Sequence, residues 1–122
     1  MQFKNLTPHS ISIVSTDDSV MTIPPSSIVA KVIMEEWGVE PVGTGRDGAL
    51  VPVIRRQPGE VNLPNPEPGT VYLVSSMVLD ALKAAGSTRK DVFAPDTGAT
   101  AIRFDDGPQK GQVKAVTRLV TI

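Results

Sequence analysis

The sequence contains no cysteine and only one histidine, His9. The missing thiols exclude disulfides, thiolate metal sites and cysteine nucleophiles, and one imidazole cannot make a two-histidine zinc site. Composition leaves open only a carboxylate-rich Mg²⁺ or Ca²⁺ site. We predict no bound metal and no cofactor.

The sequence also has few aromatic residues and almost no net charge. Three phenylalanines, one tyrosine and one tryptophan are too few for the stacking platforms that bind single-stranded nucleic acid. Twelve basic residues face thirteen acidic ones, for a formal net charge of -1. Because no overall field attracts DNA, RNA or anionic lipid, we expect no nucleic-acid partner.

Long apolar runs are missing as well. No stretch approaches the roughly twenty residues of a membrane span, and the N-terminal residues show no signal-peptide core. We expect no membrane insertion and a cytoplasmic location. With 122 residues, of which 40% are hydrophobic and 20% charged, the chain is predicted to fold as a single domain over residues 1–122.

The first half of the chain is typical of strands. Polar and apolar residues alternate over Ser10–Ser15, and turn residues separate this strand from Val20–Ile23, which predicts a hairpin. We interpret Ile28–Glu36 as a third strand, although its length also permits a helix. Between Gly38 and Gly69 lie many prolines, so we expect short edge strands and turns there, with Leu50–Arg55 as the one clear strand.

The second half contains the one predicted helix. Val71–Val74 is a continuous apolar run, as expected of a strand buried on both faces. A helix follows over about residues 76–85, with Ser75 or Ser76 as N-cap and Gly86 as the left-handed C-terminal residue. Thr100–Phe104 and Gln112–Ile122 are predicted to form a terminal hairpin. The predicted fold is α+β and mainly β: a compact antiparallel or mixed sheet, or a partly open barrel, with one short helix.

The helix N-terminus is the first candidate site. Ser75 and Ser76 stand where free backbone N–H groups and the positive helix end favour an anion, and Arg89 lies shortly after the helix. Phosphate binding is therefore chemically reasonable. Plain N-capping by serine explains the same residues.

Charged residues of alternating sign form the second candidate cluster: Arg89, Asp91, Asp96 and Arg103. They fit either structural arginine–carboxylate pairs or a ligand site in which the carboxylates orient the arginines. An Asx turn by Asp96, with Gly98 at positive φ, would account for the Asp-Thr-Gly segment by itself.

The third candidate cluster is Asn5, Thr7 and His9. A histidine imidazole can act as a general base or donate to a bound anion. Histidine at the start of a strand also serves to satisfy backbone carbonyls, and that alternative stays open.

The chain resembles a family of small proteins encoded by bacteriophages and bacteria that begin with Asn-Leu-Thr-Pro-His. The resemblance covers nearly the whole chain and rests on the order and spacing of these segments: Asn5-Leu-Thr-Pro-His9, Pro24-Pro25-Ser26, Gly59-Glu-Val61, Pro66-Glu-Pro-Gly-Thr-Val-Tyr-Leu-Val-Ser75, Arg89-Lys-Asp91, Pro95-Asp-Thr-Gly98 and Arg103. In that family the terminal hairpin has a shorter turn, whereas this chain inserts Pro108-Gln-Lys110. The resemblance implies a phage or prophage setting, hence the host cytoplasm, and names no reaction.

Three functions follow as hypotheses. The first is a non-enzymatic binder of a small ligand, most concretely a phage protein that sequesters a nucleotide-type immune signal and acts as a homo-oligomer. Its predicted ligand-binding residues are Asn5, Thr7, His9, Ser75, Ser76, Arg89, Asp91, Asp96 and Arg103. The second is a small hydrolase of a phosphate- or nucleotide-containing substrate, with His9 as general base and Asp96 orienting it. The third is a virion or head-assembly component.

Overall fold

The fold described here is a computed structural model that covers residues 1–122. Its centre is a four-stranded mixed sheet of order β1-β6-β7-β10, made of Gln2–Asn5, Thr70–Leu73, Val92–Pro95 and Leu119–Val120. The first three of these strands run parallel, and the last is antiparallel to its neighbour. The α+β, mainly β prediction is confirmed, and no sheet closes into a barrel.

The helix α1 covers one face of the central sheet. It spans Ser76–Ala84, with Ser75 as N-cap and Gly86 at φ 74° beyond its end, as the sequence predicts. Together with β6 and β7 it forms a strand–helix–strand unit. Val78, Leu79 and Leu82 point from α1 into a core that Tyr72 and Val74 reach from the sheet. No helix in the structure is long and apolar enough to cross a membrane.

The opposite face of the sheet is covered by the hairpin of β2 (Ile11–Val14) and β3 (Val20–Ile23). Ile11, Ile13 and Ile23 of this hairpin form a second core cluster with Leu73. Because neighbouring residues of a strand point to opposite faces, Tyr72 and Leu73 of β6 serve different cores. The predicted hairpin is confirmed, and β6 is buried on both faces as expected.

The proline-rich middle of the chain differs from the expectation of short edge strands. β4 (Val32–Gly43) and β5 (Leu50–Val61) form a two-stranded ribbon twelve residues long, which we call the arm. A two-stranded ribbon has two free edges, so its prolines can lie where no ladder N–H is needed. The β-bulge between Val39 and Val42 accommodates one extra residue of β4.

The chain ends differ from the prediction in two ways. Gln2–Asn5, for which the sequence predicts no strand, is β1 and pairs with β6. The predicted terminal hairpin exists only between β8 (Ile102–Arg103) and β9 (Val113–Ala115), because β10 leaves it to pair with β7. The last strand therefore forms the edge of the central sheet and does not lengthen the hairpin.

Candidate functional site

The polarity of the parallel strands decides which predicted site residues meet. β1, β6 and β7 run the same way and lie side by side, so the segments after their carboxyl ends emerge at one edge of the sheet. Those segments carry Thr7 and His9 after β1, Ser75 and Ser76 after β6, and Thr97 after β7. In sheets with parallel strands, this edge is the usual place for ligands.

A cleft of about 550 Å³ opens at this edge. Fourteen residues line it, including both serines of the helix start, Thr7, His9 and Thr97. β2 and β9 supply its other wall, where Ser12 and Lys114 face the opening. The residues that line the cleft thus include serines, threonines, one histidine and one lysine, and no aspartate or glutamate.

Ser75 caps α1 at the cleft. Its side-chain oxygen accepts a hydrogen bond from the backbone N–H of Val78, with a donor–acceptor distance of 3.3 Å, and its own backbone is extended. This bond confirms the capping role that the sequence predicts. Ser76, the first residue of the helix, is exposed and lines the same cleft.

Asn5 has a structural role beneath the cleft. Its fully buried side-chain amide donates to the carbonyls of His9 and Ile23, at 2.7 and 3.0 Å. Its side-chain oxygen accepts from the backbone N–H of Thr7 at 2.9 Å and lies 2.6 Å from the Thr7 hydroxyl. These contacts use both amide hydrogens and both lone pairs, so Asn5 holds the turn that presents Thr7 and His9 and has no polar atom left for a ligand.

Arg89 and Asp91 lie at the opposite edge, because they precede β7 and do not follow it. The guanidinium donates to both Asp91 oxygens, at 2.8 and 2.9 Å, and to the carbonyl of Pro64 at 3.1 Å. It also lies over the ring of Tyr72, 5.8 Å from its centroid. The hydrogen bonds from Arg89 lower the pKa of Asp91. The pair therefore braces the loop after the arm, away from the carboxyl-edge cleft.

Asp96 and Arg103 stabilise the turns beside the cleft. One Asp96 oxygen accepts from the backbone N–H of Gly98, and the other accepts from Arg118, whose hydrogen bond is the main cause of the lowered pKa of Asp96. The predicted Asx turn is confirmed, but Gly98 does not take a positive φ. A Cβ at Gly98 would lie 3.2 Å from the Asp96 carboxylate, so glycine provides space there.

Arg103 joins two turns through backbone carbonyls. It donates to Thr97 and to Gly111, each at 2.8 Å. The first of these carbonyls belongs to a cleft residue, so Arg103 fixes the cleft wall. Neither Arg103 nor Asp96 lines the cleft itself.

Sequence reasoning missed Lys114 as a site residue. Its neighbours Val113 and Ala115 are half-buried and buried, and this alternation predicts an outward-facing lysine. Only the contact of β9 with β2, through a bridge between Ile13 and Val116, places that lysine at the cleft. Its Nζ lies 5.9 Å from the centroid of the Phe104 ring.

Comparison with known proteins found no relative: the chain matches no protein-family model, no curated protein and no solved structure. The geometry of the cleft therefore carries the functional argument.

Proposed function

We propose that the protein binds a small anionic ligand in the carboxyl-edge cleft. The observation that carries this proposal is the lining of the cleft, which offers hydroxyl, imidazole and ammonium groups and no carboxylate. The N-terminus of α1 adds a positive partial charge and free N–H groups at the same place. A volume of about 550 Å³ falls within the range of small-molecule sites.

The ligand class we propose is a nucleotide-type molecule. Its phosphates would lie against Ser75, Ser76 and Lys114, where the donors and the cation are. The groups near Thr7 and His9 would contact sugar or base. The biological use we propose is sequestration of an immune signal by a homo-oligomer, and the resemblance to phage proteins supports only the phage setting in the host cytoplasm.

Binding is favoured over hydrolysis by the position of Asp96. The hydrolase hypothesis assigns Asp96 to orient His9 as the general base. Asp96 does not line the cleft, and its two oxygens already accept from Gly98 and Arg118. The ligand of such a site is expected to be released unchanged.

Incubation with a panel of linear and cyclic nucleotides tests the proposal. We expect at least one nucleotide to raise the melting temperature and to return intact, by mass spectrometry, after the protein is denatured. Lys114→Glu should weaken its binding by at least about tenfold, equivalent to about 1.4 kcal/mol, whereas Lys110→Glu, in the exposed turn after β8, should not. No shift with any nucleotide, or equal effects of the two substitutions, would refute the site. Recovery of a product would indicate the hydrolase.

The arm favours a second candidate, a component of the virion or of head assembly. Its strands project from the domain with apolar side chains exposed on both faces, as expected of a segment that contacts other subunits. Co-sedimentation of the protein with phage particles would support this candidate. Free protein after particle purification would exclude it.

A further inference from the structure

The outward face of the hairpin of β2 and β3 changes character along its length. Ser12 pairs with Thr22, and their side-chain oxygens lie 2.9 Å apart. The next outward pair, two residues further along each strand, is Val14 with Val20. A hairpin that covers a core with one face is expected to be polar on the other. The two valines depart from this pattern at the end of the face nearer the turn between β2 and β3.

A small pocket, which we call the apolar pocket, lies at these valines. Its lining consists of Ser12, Val14, Val20, Ile102, Lys114 and Ala115, and its volume is about 290 Å³. Val20 is 64% exposed and Ile102 is 40% exposed, so the pocket offers apolar surface to a ligand from solvent. A cavity of about 150 Å³ can hold a benzene ring. The apolar pocket therefore has room for one ring.

The apolar pocket is continuous with the carboxyl-edge cleft, because Ser12, Lys114 and Ala115 line both. The shared wall is fixed by hydrogen bonds between β2 and the end of β9. The backbone N–H of Val14 donates to the carbonyl of Val116, and the N–H of Val116 donates to the carbonyl of Ser12, each at 2.9 Å. Lys114 is thus within reach of a ligand that occupies both spaces.

The size of the apolar pocket indicates a part of a larger site. Complete small-molecule sites have volumes of about 300–1,000 Å³, and the apolar pocket lies just below this range. The donors and the helix start are in the cleft, whereas the valines and Ile102 are in the apolar pocket. A free inorganic anion would use only the first of the two spaces.

We infer that the ligand of the cleft carries an apolar ring and that this ring occupies the apolar pocket. The inference rests on the proposed anion binding and adds the chemical class of the ligand, which is an ester of phosphate. The phosphate lies between Lys114 and the start of α1, and the ring lies against Val14, Val20 and Ile102. The polar groups of the ligand remain on the side of Thr7 and His9.

Two phosphate esters of equal charge isolate the contribution of the ring. Methyl phosphate and phenyl phosphate are both dianions at about pH 8, because the second pKa of such esters is about 6. Lys114 and the helix start therefore attract them equally. Burial of about 60 Å² of ring surface corresponds to about a tenfold gain in affinity. We expect phenyl phosphate to bind at least about tenfold more tightly than methyl phosphate.

Isothermal titration calorimetry with these two probes tests the inference. Val20→Asn should remove most of the preference for phenyl phosphate and leave the affinity for methyl phosphate unchanged. Val120→Asn is the matched control, since Val120 is an exposed valine of β10 that lines neither space, and it should keep the preference. Equal affinities of the two esters for the wild-type protein, or the same effect of the two substitutions, would overturn the inference.

Nuclear magnetic resonance of the methyl-labelled wild-type protein does not depend on the folding of any variant. Phenyl phosphate should shift the methyl resonances of Val14, Val20 and Ile102 through the ring current, and methyl phosphate should not. Shifts confined to methyl groups outside the apolar pocket would contradict the inference. If nucleotides bind but phenyl phosphate binds no better than methyl phosphate, the ring inference fails and the anion proposal stands. If neither ester and no nucleotide binds, both fail.

Discussion

Replacing Asn5 tests whether one buried amide organises the turn beside the carboxyl-edge cleft. Asn5→Ala removes two donors to backbone carbonyls and two acceptor contacts to Thr7. Each intramolecular hydrogen bond contributes about 1 kcal/mol net, and buried groups left unpaired cost more, so we expect a loss of about 2–4 kcal/mol. For a domain of this size that is a fall in melting temperature of about 10 °C.

Asn5→Asp should destabilise the fold more than Asn5→Ala at neutral pH. Its carboxylate would replace the amide nitrogen that now lies 2.7 and 3.0 Å from two carbonyl oxygens, in a fully buried position. Burial and these oxygens raise the pKa of a carboxyl group in the folded state. Because the folded pKa is above the unfolded one, part of the lost stability should return as the pH falls.

Urea unfolding at pH 7 and pH 4, followed by circular dichroism, measures both effects. Asn65→Ala is the matched control, because Asn65 is exposed in the loop before β6, and a change within about 0.5 kcal/mol is expected for it. If Asn5→Ala lowered the free energy of unfolding no more than Asn65→Ala, the role of Asn5 in holding the turn before β2 would be refuted.

Three further substitutions test other parts of the fold. Gly59→Ala should destabilise the protein by about 1–3 kcal/mol, because a Cβ there would lie 2.7 Å from a backbone oxygen of β4. Gly38→Ala is the control, since a Cβ at Gly38 meets nothing within 4 Å. Equal melting temperatures of the two variants would contradict the close approach of the strands at the irregularity between Val32 and Met34. Asp91→Asn should lower the free energy of unfolding at pH 7, and this loss should shrink progressively below about pH 4, because the lowered pKa of Asp91 makes its contribution to stability disappear on acidification. Urea titrations measure this, and the exposed Asp80→Asn should show no such pH dependence. Ser75→Ala should cost about 1 kcal/mol through the lost N-cap and Ser75→Asp should not, a difference that thermal unfolding would detect.

The candidate site was predictable in its chemistry and only partly in its geometry. The helix start, with Ser75 as cap, follows from local sequence because capping involves residues three apart. Ser75 and Arg89 are close in the sequence, which favours placing them in one site. The parallel direction of β6 and β7 puts the helix between them, so the two residues lie at opposite edges of the sheet.

The sequence by itself determined the local elements: the hairpin of β2 and β3, the buried strand β6 and the capped helix α1. Their signals are periodicity, turn residues and caps, which act over a few residues. Only the tertiary structure decided that β1 pairs with β6, that β9 brings Lys114 to the cleft and that the proline-rich segment forms an arm. These features depend on contacts between distant segments and on strand direction, which no local pattern encodes.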